Sequence, residues 1–251
     1  MSRIVCQFSC GAASAVATKL TLVDHPDAII LNAYLANEHP DNRRFAADCE
    51  AWFGKSITVL RDEKYGADVI EVFRRTRFIK GIRGAACSIR LKRGLLDAWK
   101  QPGDIMVLGF TADEPDRADD FRDRFPDRPI WTPLIDRGLT KEDCKSMVER
   151  AGIKLPAMYL QGYENANCIG CVKGGQGYFR AIREDYPAEF ERLAQVESEI
   201  GPGAYILVHR SGPLKGQRFP LHELPTGKAM RNEALPSCGL FCETAEQEYA
   251  A

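Results

Sequence analysis

The sequence predicts an α/β fold: a twisted, mostly parallel five-stranded sheet with helices on both faces, plus a small cysteine-bearing C-terminal subdomain. Three observations predict it. Short apolar runs alternate with segments of helical period from residue 3 to residue 151, the pattern of strand–helix–strand crossovers in a parallel sheet. The first apolar run leads into a loop of small residues that opens an apolar helix. From Leu155 onward the alternation stops and Gly, Pro and aromatic residues become more frequent. The expected organisation is a core domain over residues 1–153 and a subdomain over 154–251.

Arg3–Ser9 reads as a short buried strand, followed by an apolar helix over Ser14–Val23 and a second strand over Ala28–Ala33. Pro40–Phe53 has helical spacing, with Phe45, Cys49, Trp52 and Phe53 on one side. Ile57–Leu60 is a third strand, and Asp68–Thr76 and Ile89–Trp99 are helices. Ile105–Phe110 is a fourth strand, Asp116–Phe125 a polar helix and Trp131–Ile135 a fifth, short strand. Thr140 caps a helix running to Ala151; Glu142 and Asp143 suit its first turn, and Gly152 ends it. Beyond Leu155 the sequence predicts an amphipathic helix over Pro187–Ile200 and a hairpin of Tyr205–Val208 with Arg218–Leu221.

Composition narrows the function classes. Of 251 residues, 45% are hydrophobic and 27% charged, which excludes a disordered, coiled-coil or collagen-like chain. The formal net charge of −1 leaves no global positive field, so any anion site is local. No stretch approaches about 18 uninterrupted apolar residues, and MSRIVCQFS lacks a signal-peptide core, so a cytoplasmic protein with no membrane partner is expected. Nine cysteines in a reducing compartment point to metal or redox chemistry rather than disulfides.

Four segments carry candidate chemistry. Ser9-Cys10-Gly11-Ala12-Ala13-Ser14 joins a strand end to a helix start, where free amides and the positive dipole end make a phosphate or sulfate cradle; a tight turn packed with small residues is the plainer alternative. Residues 72–96 contain Arg74, Arg75, Arg77, Lys80, Arg83, Arg90, Lys92 and Arg93 and no Asp or Glu, which fits a polyanion site. Cys168-Ile169-Gly170-Cys171 is a C-x-x-C in a Gly-rich loop, able to grip a metal or cluster or to form a redox disulfide. The tail holds Cys238 and Cys242. Cys6, Cys49 and Cys144 sit in apolar contexts and read as buried small hydrophobes.

The first loop resembles the S-G-G-x-D-S loop of the adenine-nucleotide α-hydrolase-like (PP-loop) superfamily. Ser9, Gly11 and Ser14 match; Cys10 stands for a glycine and Ala13 for the aspartate. Members that cleave ATP usually keep that aspartate, so the chain is closer to the adenylyl-sulfate and phosphoadenylyl-sulfate (PAPS) reductases. Ala86-Cys87-Ser88-Ile89-Arg90-Leu91-Lys92 resembles their segment C-[CE]-x-x-[RK]-K, with Ala86 in place of one cysteine. Gly109 to Arg117 resembles their stretch G-x-R-x-x-[ES]-x-x-R, with Thr111 in place of the first arginine. Ser237-Cys238-Gly239-Leu240 resembles their tail signature E-C-G-L-H, with Phe241 in place of the histidine.

The resemblance implies an oxidoreductase in which the Cys238 thiol attacks the sulfate of an adenylyl sulfate and a thioredoxin-type reductant releases sulfite. It implies nucleotide contacts from Ser9, Cys10, Gly11, Ala12, Ala13, Ser14, Arg90, Lys92 and Arg117. It also implies a 4Fe–4S cluster on Cys87, Cys168 and Cys171, with Cys242 as the fourth ligand or with one open position; zinc fits the same ligands. Two alternatives stand beside it. One is an ATP-dependent enzyme of the same superfamily that delivers sulfur to tRNA or DNA, and the other is a nucleotide-binding sensor with structural zinc.

Overall fold

Val5 and Cys6 have no solvent exposure, and the strand that carries them is the middle of a five-stranded sheet. The computed structural model describes residues 2–81 and 84–235. In chain order its elements are β1 (Ile4–Gln7), α1 (Ala12–Asp24), β2 (Ile29–Ala33), α2 (Asn42–Phe53), β3 (Thr58–Leu60), α3 (Val69–Thr76), β4 (Lys80–Gly81), β5 (Gly84–Ala85), α4 (Ala86–Ser88), α5 (Gly94–Trp99), β6 (Ile105–Val107), α6 (Pro115–Arg124), β7 (Ile130–Trp131), α7 (Pro133–Asp136), α8 (Lys141–Arg150), α9 (Ala157–Leu160), α10 (Gln176–Asp185), α11 (Pro187–Ile200), β8 (Leu207–Val208) and β9 (Arg218–Phe219). They divide into two compact units. One comprises Met1–Tyr34, Pro40–Leu60 and Leu96–Leu160; the other comprises Leu35–His39, Arg61–Leu95 and the chain from Gln161 onward.

The first unit holds the sheet, in the order β3-β2-β1-β6-β7, with every pair parallel. Cys6 lies opposite Ile30 on one side and Val107 on the other. Helix α1 packs against α2, α7 and α8. On the α1 face, Ala12, Ala15, Val16 and Ala17 form one core with Phe8, Phe45, Phe53, Leu134 and Val148. Cys6, Cys49 and Cys144 belong to this core, as their apolar contexts predict. Burial pushes their thiols up to about 11, 12 and 12 respectively. The Thr140 cap is a full capping box with Asp143, and Gly152 follows the helix at φ +78.

Two of the differences from expectation have a direct steric cause. The fifth strand stops at Trp131, because Pro133 has no N–H to donate and opens α7. The single helix expected over Ile89–Trp99 is interrupted by a π-helical turn over Ile89–Arg93. There Gly94 N–H donates to Ile89 O, and a Cβ on Gly94 would stand 2.9 Å from that same oxygen, so glycine admits the wide turn. Among the described residues no helix is long and apolar enough to cross a membrane.

The second unit packs α3 and α10 against α11. Asn37 and Asp68 together cap α3: Asp68 accepts from Ile70 N at 2.8 Å, and Asn37 accepts from Val69 N at 2.8 Å and donates to Asp68 at 3.0 Å. Glu197 on α11 has no exposure, and its carboxylate accepts from Ile206 N and Leu221 N, each at 2.6 Å. One buried side chain thus fixes the segments that flank the β8–β9 hairpin. Glu197→Gln keeps the shape but replaces an acceptor oxygen with a donor. It is expected to lower stability by about 1–3 kcal/mol, read as an earlier urea unfolding midpoint.

Candidate functional site

Strand order reverses at β1, so the carboxyl ends of β1 and β6 flank the topological switch point of the sheet, where open parallel sheets receive ligands. Gly109 sits just past β6; a Cβ there would stand 2.9 Å from Ser14 N and 3.0 Å from Ser14 Cα. Only glycine lets this loop approach the first turn of α1 so closely. The N-cap of α1 is Gly11, with no side-chain cap, so its first amides have no side-chain or intrahelical acceptor at the cap.

The loop is held by its own side chains. Ser14 Oγ accepts from Ser9 N at 3.1 Å and Ser9 Oγ at 3.2 Å, and donates to Gly11 O at 2.9 Å. Cys10 adopts φ +57, the left-handed region that glycine fills without cost and that other residues enter only with strain. Its thiol is buried, and Asn32 Nδ2 donates to Sγ at 3.6 Å and to Phe8 O at 2.9 Å. Ala12 is fully buried and Ala13 partly so, so both contribute backbone to the cradle. Tyr159 adds a side chain: its hydroxyl lies 3.2 Å from where a Cβ on Gly11 would be, and Lys141 and Lys145 stand over its ring at 5.9 and 5.4 Å. Arg117 packs over the Phe110 ring at 4.9 Å and pairs with Glu114, whose carboxylate also accepts from Thr111 N at 3.1 Å. Burial holds the Arg117 guanidinium below its usual range.

The second unit contains a pocket of about 470 Å³, counting the solvent at its mouth. Cys87, Cys168 and Cys171 line it, together with Asn167, Lys92 and Lys173. Three cysteines singled out separately in the sequence therefore share one pocket. Among the described residues no group of three His, Cys, Asp or Glu is arranged to hold a single metal ion. The C-x-x-C turn is set by Tyr178, which accepts from Cys171 N at 3.0 Å and donates to Cys168 O at 3.3 Å. Gly174 lies against the Tyr178 ring, where any side chain would collide with it. An isolated bridge pairs Cys168 with Glu38, and Ile169 N donates to Asn37 O at 2.9 Å. Lys80 donates to Val172 O, and burial together with Arg218 pushes its ammonium down to about 8.

The cationic stretch is largely engaged within the second unit. Arg74 pairs with Glu71 and with Glu199 at 3.1 Å, and Arg75 with Glu71 at 3.4 Å. Arg77 donates to Ile200 O at 3.3 Å. Lys92 meets Glu38 at 3.3 Å, with side chains only 13% and 9% exposed. Arg90 is exposed on the π-turn. Arg83, Cys238 and Cys242 lie outside the described residues. His39 meets the ring of Tyr186 edge-on at 6.0 Å.

Sequence reasoning missed Tyr178 and Tyr159 as parts of these sites; Glu38 and Asn167 lay in segments it singled out, but without the roles the structure gives them. Glycines 174 and 175 beside the C-x-x-C were the one available signal for a ring packed on the loop. The chain matches no family model, and no curated protein matches it.

Two measurements check the geometry. Gly109→Ala is expected to cost about 1–3 kcal/mol through overpacking against Ser14, and to speed amide exchange at Ala12–Ser14. With a thiol reagent at pH 8, Cys6, Cys49 and Cys144 are expected to label only after unfolding. Their raised pKa values keep the thiolate fraction negligible there, and burial blocks access. Peptide mapping reads the difference.

Proposed function

We propose that the chain is a sulfonucleotide reductase-like enzyme that takes sulfite from PAPS or adenylyl sulfate. One observation carries the reading: Cys87, Cys168 and Cys171, expected as a ligand set, line a single pocket. The first unit adds a small-residue cradle at the switch point, suited to a nucleotide phosphate. The engagement of Arg74, Arg75, Arg77 and Lys92 by partners in the second unit favours a small anion over a long nucleic-acid backbone.

The chemistry of the donor set fits an anionic, thiolate-ligated centre: three thiols, the ammonium groups of Lys92 and Lys173, and a buried amide donor at Asn167. Cys87, Cys168 and Cys171 would hold a 4Fe–4S cluster, which takes each thiolate on a different iron, with Cys242 as the expected fourth ligand. A bound cluster would tune the electrostatics of the site. Within the first unit, the amides opening α1 and the Arg117 guanidinium would bind phosphate oxygens of the nucleotide.

The Cys238 thiolate then attacks the sulfate sulfur. An S–S bond forms, the S–O bond to the phosphate breaks, and its electron pair leaves on the nucleotide oxygen. A dithiol of thioredoxin type attacks Cys238 Sγ, and the electron pair of the broken S–S bond leaves with sulfite. The second thiol of that dithiol closes its disulfide and frees Cys238, so two electrons pass from dithiol to sulfur.

A second reading, ATP-dependent sulfur delivery to tRNA or DNA, is favoured by one observation. Ala86, 1% exposed, stands where iron–sulfur reductases pair a second cysteine with the first, leaving three thiols and an open position suited to sulfur transfer.

The test is direct. Anaerobically purified protein with either sulfonucleotide is expected to release sulfite without ATP, and reduced thioredoxin to sustain turnover. Cys238→Ser is expected to abolish turnover while nucleotide binding persists. ATP-dependent incorporation of sulfur into tRNA or DNA, with the protein inert toward both sulfonucleotides, overturns the reading.

A further inference from the structure

Asn167 immediately precedes Cys168 and lines the same pocket as Cys87, Cys168 and Cys171. Its Nδ2 has no contact with solvent and no acceptor. A buried amide donor without a partner is uncommon, because its lost hydration goes uncompensated, and such a group calls for an explanation.

The backbone around Asn167 is fixed. Cys168 bridges to Glu38, Ile169 N donates to Asn37 O, and Cys171 N donates to both Cys168 O and Tyr178. The amide is therefore held at the pocket wall by its neighbours, not by a bond of its own. The groups that share that wall specify the missing acceptor. Lys92 is already paired with Glu38; the Lys173 ammonium favours an occupant with net negative charge, and the three thiols favour one rich in sulfur.

We infer that Asn167 Nδ2–H is a hydrogen-bond donor to sulfur in the group that Cys87, Cys168 and Cys171 hold, and that it tunes that group. The inference rests on the reading of these cysteines as a ligand set. An N–H···S bond strengthens as negative charge on the sulfur grows, so it favours the reduced form of a cluster and the thiolate form of a metal ligand.

The experiment compares wild type, Asn167→Ala, Asn167→Asp and Cys168→Ser after anaerobic incubation with iron and sulfide, and separately with cobalt(II) as a spectroscopic probe for a zinc-type site. Iron, sulfide and cobalt content report whether the cysteines are ligands. The cluster's midpoint potential and the thiolate-to-cobalt bands report on Asn167. Wild type is expected to load one of the two and Cys168→Ser to lose it. In an iron-loaded protein, Asn167→Ala keeps the iron, and its ratio of reduced to oxidised cluster at fixed potential falls about threefold to tenfold, as the loss of one hydrogen bond implies. Asn167→Asp falls further, because a carboxylate brings charge and no donor. In a cobalt-loaded protein, Asn167→Ala weakens binding by the same factor and shifts the bands. The unloaded Asn167→Ala protein unfolds no earlier in urea than wild type, since the donor lacks a partner there.

Full loading with unchanged potential, affinity and bands in both Asn167 variants overturns the inference and leaves the ligand set standing. An unloaded Asn167→Ala protein that unfolds distinctly earlier overturns it too, by giving the amide a structural partner. Wild type that takes up neither metal, indistinguishable from Cys168→Ser, refutes the ligand set and the inference with it.

Discussion

Parallel pairing on both edges of β1 is the constraint from which the rest follows. A strand bonded on both sides and covered on both faces buries its middle residues, which is why Val5 and Cys6 are wholly buried. Parallel neighbours also make every strand leave the sheet at the same end. The chain passes from the first unit to the second just beyond β2, at Leu35, and just beyond β3, at Arg61. The cradle is the corresponding exit of β1, and the Gly109 loop is the exit of β6. The functional residues of the first unit therefore sit where topology delivers chain, and the missing side chain of Gly109 lets two exits meet.

Charge tells a different story in the folded protein than along the chain. Residues 72–96 carry no acid of their own, yet Glu71, Glu199 and Glu38 reach them from elsewhere in the second unit. A run of like charge in sequence need not be a run of like potential in space. The partners come from the residue just outside the window, from α11 and from the segment after β2, and local composition registers none of these.

The fold was legible because its signals are local. Apolar period, small residues at the first strand end and the Thr140–Asp143 box each lie within a few residues, and each reappears in the structure. What failed was also local, but steric: Pro133 shortened the fifth strand, and the π-turn at Ile89–Arg93 depends on a backbone oxygen that no periodicity reports. At the candidate sites the cysteines were legible by spacing, while their supports were not. Tyr178 acts through its hydroxyl on two backbone groups, Asn167 through an absence of partners, and Glu38 through an ion pair across many residues. Helix α10 was missed because Gln176–Asp185 mixes Gly, Tyr and charged residues at its start and end.

The distance in sequence between the two halves of the thiol pocket sets an order of events on the ribosome. Cys87 is made long before Cys168 and Cys171, with most of the first unit in between. At about 5–20 residues per second, the first thiol waits roughly 4–17 s before its neighbours exist. During that interval the nascent chain carries a single unaccompanied thiol at this place, and only after the C-x-x-C has emerged can all three be occupied together. Until then that thiol meets oxidants with no neighbouring thiol of its pocket to pair with.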